Sequence, residues 1–91
     1  MQSPIARRFV VHGRVQGVGF RYRCVQAAET AGVTGWVRNR TDGSVEAHVE
    51  GPADAVEQVL AWVRVGPRHA RVDSVEVGEV APAGHRGFTV R

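Results

Sequence analysis

Arg8-Phe9-Val10-Val11-His12-Gly13-Arg14-Val15-Gln16-Gly17-Val18-Gly19-Phe20-Arg21-Tyr22-Arg23-Cys24 changes its periodicity half-way. Its first part is β-branched and aromatic and predicts a strand over residues 6–14. Residues 13–19 are too rich in glycine to continue a regular strand. From Phe20 the apolar positions fall at Phe20, Cys24, Ala27, Ala28 and Ala31, one face of a helix, and Gly32 stands where such a helix closes. The stretch is therefore a strand, a glycine loop and a helix in immediate succession.

Working outward, residues 33–40 predict a second strand, and Thr41-Asp42-Gly43-Ser44 is a turn signal. Val45, Ala47 and Val49 then alternate with Glu46, His48 and Glu50, the pattern of a half-buried strand with a polar outer face. Gly51-Pro52 opens a second helix with Pro52 at its first position. Val56, Val59, Leu60 and Val63 form its apolar stripe, and Gly66-Pro67 ends it. Val72, Val75, Val77 and Val80 shift from one alternation to the other, which predicts a bulge in a fourth strand. Phe88-Thr89-Val90 is a short last strand. The order predicts an α+β, ferredoxin-like split β-α-β sandwich: an antiparallel sheet with two helices on one face, in a single domain over residues 1–91.

Composition narrows the function. A chain of 91 residues has room for one domain and buries roughly 60–65% of its unfolded surface. No apolar run approaches the ~20 residues of a membrane span, and Met1-Gln2-Ser3-Pro4 carries no leader pattern, so a cytoplasmic protein without a membrane partner is expected. The single Cys24 excludes an internal disulfide, and the four histidines show no metal-ligand spacing, so no metal site is expected. All twelve basic residues are arginine, which base-composition bias explains as readily as function does, but mechanisms that require a lysine are excluded. The net charge of +3 is too small to argue for nucleic acid.

The two helices differ in their charges. The second has Asp54 and Glu57 near its start and Arg64 near its end, as the helix dipole favours. The first opens with Arg21 and Arg23 and has no acid before Glu29. Cations there are unfavourable by roughly 0.3–1 kcal/mol each, unless an anion sits at the same helix end. Gly17 and Gly19 allow main-chain N–H groups to converge on such an anion, and Arg21 offers a planar fork to it. A tight turn flanked by solvated arginines accounts for the same residues. Asn39 is placed by topology: a right-handed crossover makes the second strand parallel to the first, bringing its C-terminal end beside the glycine loop. Asn39 shares the alternation of Val37 and so faces the helices, although a turn-flanking asparagine bonded to local backbone is the plain alternative.

The sequence from Val10 to Tyr22 resembles the first signature of the acylphosphatase family, and that from Gly35 to Glu46 resembles the second. Gly51-Pro52, Trp62, Gly66-Pro67, Ala70-Arg71-Val72 and Gly87-Phe88 extend the resemblance over nearly the whole chain. The resemblance implies an enzyme that splits small-molecule acyl phosphates into a carboxylate and inorganic phosphate, using no cofactor and no metal. It implies that Arg21 binds the phosphoryl group with the main-chain amides of Gln16, Gly17, Val18, Gly19 and Phe20, the loop that also takes inorganic phosphate or another anion. It implies that Asn39 orients the attacking water. Where some members carry a hydroxyl residue directly after the asparagine, this chain has Arg40 and then Thr41, so Thr41 receives no catalytic role. His12 reads as an ordinary sheet residue, Cys24 as core, and Trp36 and Trp62 as packing or edge cover.

Two other classes deserve comparison. An RNA-binding module of the same fold would present aromatics on the open sheet face, where this chain has Glu46, His48 and Glu50. A non-catalytic sensor of acyl or carbamoyl phosphate would share the loop and Arg21 and differ at Asn39. A monomer is the default for a domain without an evident apolar surface stripe.

Overall fold

The protein is described by a computed structural model over residues 3–91; Met1 and Gln2, which open the stretch read for a leader, lie outside the described residues. The elements in chain order are β1 (Ile5–Arg14), α1 (Phe20–Ala31), β2 (Thr34–Asn39), β3 (Val45–Gly51), α2 (Ala53–Val65), β4 (Arg71–Val80) and β5 (Phe88–Val90). They form one sheet in the order β4-β1-β3-β2-β5. The pairs β1–β3, β1–β4 and β2–β3 are antiparallel, which gives the ferredoxin-like four-strand arrangement.

Two details depart from the sequence reading. The fifth strand pairs parallel to β2, so the sheet is mixed rather than wholly antiparallel. Phe88 reaches this position because residues 81–87 cross the sheet to its far edge, a long connection that local periodicity does not encode. Pro52 is the residue before the helix rather than its first residue: its ψ of 146° is extended, and its carbonyl accepts the first helical bond, from Val56 N–H at 3.0 Å.

The core lies between the sheet and the helices. Phe9 and Val11 from β1, Val37 from β2, and Val45, Ala47 and Val49 from β3 face one way. They pack in one cluster with Phe20, Cys24 and Ala28 from α1 and with Val56, Val59, Leu60 and Val63 from α2. Both helices therefore cover the same face. Phe20 and Trp62 meet between them with ring centroids 5.2 Å apart. The expected bulge falls where His12 pairs with Ser74 but Gly13 pairs with Val72, leaving Asp73 as the extra residue.

The outer face of β3 is not solvated as its alternation suggests. Glu46 and Glu50 are only 4% and 5% exposed. The reason is tertiary: β3 is a central strand, and long side chains from its neighbours close over it. Arg8 from β1 and Arg38 from β2 both donate to the Glu46 carboxylate. The amides of Ala83 and Gly84, in the segment leading to β5, donate to Glu50. Burial raises the pKa of each acid, but these donors outweigh it and hold both below the usual glutamate range.

Candidate active site

Because β3 lies between β1 and β2 and runs antiparallel to both, the C-terminal ends of β1 and β2 share one edge of the sheet. The glycine loop leaves the first of these ends and Asn39 closes the second. A pocket of about 450 Å³ opens there, lined by Gly17, Gly19, Arg21, Asn39 and a mostly apolar wall that includes Tyr22 and Phe88.

The loop adopts backbone angles that favour glycine. Gly17 and Gly19 have φ of 74° and 78°, and a Cβ at either would meet nothing within 4 Å. Glycine is needed there for its backbone angle rather than for lack of space. Gly19 is the N-cap of α1, provides no side-chain cap, and the first turn holds no acid. The first helical bond runs from Arg23 N–H to Gly19 C=O at 3.1 Å, which leaves the amides before it without helical acceptors. Among the described residues, the main-chain N–H groups of residues 16–19 donate to no protein acceptor. Arg21 is exposed at the second helical position.

Asn39 faces the helices, as the alternation with Val37 requires. Its Oδ1 is buried and has no hydrogen-bond partner. The local turn is completed by other groups: Asp42 accepts from the amide and hydroxyl of Ser44 at 2.9 and 2.5 Å. The Ser44 hydroxyl and amide hold the Asp42 carboxyl below its ordinary range. The Asn39 Oδ1 is therefore not bonded to its own turn, as the plain alternative would have it.

A family model, acylphosphatase, matches residues 7–90. The chain belongs to the acylphosphatase family. It is 53% identical over 87 residues to an acylphosphatase of Azoarcus sp. strain BH72, covering 94% of this chain and 89% of the relative. The crystal structure of acylphosphatase from Bacillus subtilis superposes with a TM-score of 0.93 at 39% identity, over 96% of this chain and 98% of that one. An acylphosphatase structure from Coxiella burnetii gives 0.93 at 34% identity, over 97% of this chain and 93% of that one. Acylphosphatases hydrolyse acyl phosphates, and this chain is an enzyme of that class.

Of the acylphosphatase residues singled out from sequence, Gly17, Gly19, Phe20, Arg21 and Asn39 line the one pocket. The side chains of Gln16 and Val18 do not: Val18 packs against the core, and the Gln16 side chain turns away. Its Nε2 donates to the carbonyls of Arg40 and Ser44 at 2.7 and 3.0 Å. Gln16 thus ties the glycine loop to the turn that follows Asn39. The sequence points to Gln16 only for its amide, since nothing local shows that two loops 24 residues apart touch. Arg40 and Thr41 lie outside the lining. Cys24 is buried in the core, where burial pushes its thiol up to about 12. His12 bonds Glu76 at 2.6 Å on the sheet, away from the pocket.

Proposed function

We propose that this acylphosphatase holds the phosphoryl group of its substrate with Arg21 and the amides of residues 16–20, and that Asn39 directs the attacking water. The observation that carries the reading is the buried, unpartnered Oδ1 of Asn39 in the same pocket as Arg21. An acceptor withdrawn from solvent without a partner costs roughly 1–3 kcal/mol, a deficit that a bound water's O–H removes. The water, held through its O–H, then lies with a lone pair free to attack phosphorus in line with the departing carboxylate.

The bond made is water oxygen to phosphorus, and the bond broken joins phosphorus to the acyl oxygen. A carboxylate leaves without protonation, so no general acid is needed. The pocket lining contributes no carboxylate, thiol or imidazole, and the substrate's own phosphoryl oxygens are the natural acceptor of the water's proton. What remains for the protein is positioning and stabilisation of charge on the equatorial oxygens. Planar guanidinium donors and main-chain N–H groups suit that task because they need no reorganisation during the reaction.

Hydrolysis of benzoyl phosphate by Asn39→Ala tests the assignment. The expected result is kcat lower by roughly 100-fold or more, as for loss of a group that places the nucleophile. The inhibition constant of inorganic phosphate should stay within about threefold, because the amide does not hold the anion. Parallel loss of turnover and phosphate affinity would instead make Asn39 a structural residue. Turnover should persist with a chelator present; a requirement for added metal overturns the mechanism.

A further inference from the structure

The fold assembles a group that sequence spacing alone does not reveal. His48 and Glu50 are two residues apart on β3 and share its outer face, away from both helices. Residues 81–87 bring His85 over them. One donor atom from each of His48, Glu50 and His85 lies within 4.8 Å of the other two. We propose that these residues bind one divalent late transition ion of the Zn²⁺ class, separate from the phosphate pocket.

The donor set suits that class. Two imidazoles and one carboxylate match Zn²⁺ and its neighbours, whereas Mg²⁺ and Ca²⁺ require more oxygen ligands. The carboxylate is already held in place. Glu50 accepts the amides of Ala83 and Gly84 at 2.5 and 3.1 Å and meets His48 Nε2 at 2.6 Å. A carboxylate accepts about four hydrogen bonds, so an ion replacing the His48 proton leaves both backbone donors satisfied. Such outer donors are what orient a ligating carboxylate.

The rings are also positioned. His48 stacks on Trp36 with centroids 6.1 Å apart and planes 18° apart, and His85 meets it edge-on at 5.0 Å. In a tetrahedral site the ligand atoms lie about 3.3 Å from one another, set by bonds of roughly 2.0–2.2 Å. The separations to His85 need contract by at most about 1.5 Å, which His85 can supply by turning in a segment without regular secondary structure, while His48 and Glu50, now 2.6 Å apart, open slightly to admit the ion. Water completes the shell on the open side.

Nearby charge sets the strength. Arg8 pairs in register with His48, but its guanidinium is directed to Glu46; Arg38 and Arg91 lie over the Trp36 ring. These cations oppose a metal ion without occupying its ligands, and so weaken its binding. Binding would pin residues 81–87 to β3. That segment leads into β5, whose Phe88 and Val90 form part of the pocket wall, so the ion would brace the site from behind.

The test is calorimetric titration of the untagged full chain with Zn²⁺ near neutral pH, with Co²⁺ absorption as a second readout. The expected result is one equivalent of Zn²⁺ and tetrahedral Co²⁺ bands. His85→Gln and His48→Gln should each weaken binding by roughly tenfold or more, since losing a ligand costs at least as much as losing an outer hydrogen-bond partner. His12→Gln and His69→Gln should bind as the parent does, and Mg²⁺ should give no signal. His85 lies on a connecting segment, so its variant carries the test if His48→Gln fails to fold. Absence of Zn²⁺ binding, unchanged affinity in His85→Gln, or equal uptake of Mg²⁺ overturns the proposal.

Discussion

Replacing Arg21 by alanine should change stability in opposite directions with and without phosphate. Arg21 occupies the second position of α1, whose first turn has no acid and whose cap provides no side-chain bond. Its charge adds to the positive end of the helix dipole, an unfavourable term of about 0.3–1 kcal/mol at low ionic strength. Without an anion, Arg21→Ala should be more stable than the parent by that amount. For a domain of this size the melting midpoint rises by about 1–8 °C. With phosphate the order reverses. A ligand at a hundred times its Kd stabilises the parent by about 2.7 kcal/mol. Loss of a charged hydrogen-bonding partner removes roughly 1.5–3 kcal/mol of binding, a tenfold or greater rise in Kd. At the same phosphate concentration the variant then gains about 1.4 kcal/mol or less. Thermal denaturation over a phosphate series in low-salt buffer measures both limbs. A variant less stable than the parent without phosphate, or raised equally by phosphate, refutes the assignment of an anion to this helix end.

Gly35 approaches β3 so closely that a Cβ would sit 1.8 Å from the His48 carbonyl oxygen, at a φ of 139°. Gly35→Ala should therefore cost roughly 2–6 kcal/mol by urea unfolding, from overlap and backbone strain together. Gly17→Ala, with open space but the same positive sign of φ, should cost only about 1–2 kcal/mol. Glu46 and Glu50 have folded pKa values lowered from 4.5, so their contribution is complete above that pH and is lost as pH falls below it. Glu46→Gln should flatten the loss of stability in that acid range, and an acid-unfolding profile as steep as the parent's would contradict the pairing with Arg8 and Arg38. Cys24, with its thiol pushed up to about 12 by burial, should resist thiol reagents in the native state and react fully in denaturant.

The parts of the site that were legible in the sequence are those governed by short-range periodicity. The switch from period two to the helical period fixes where β1 gives way to α1, and the positive-φ positions 17 and 19 fall on glycines because other residues resist that backbone. Asn39 could be placed because strand alternation gives its side and a right-handed crossover gives its edge. Gln16 could not, since its partners are carbonyls in another loop. The parallel pairing of β5 and the burial of Glu46 and Glu50 also escaped, because both depend on which segments become neighbours.

What the chain order determined by itself is a strand, a glycine turn and a helix whose opening charges contradict its dipole. That much is local: side-chain volume, backbone freedom and charge act over a few residues. What only the tertiary structure decided is which distant groups meet. Packing placed an acceptor without a partner in the same pocket as Arg21, closed two arginines over Glu46, and drew His85 to His48 and Glu50. Each outcome rests on long-range contacts, whose free energy exists only when the whole sheet has formed.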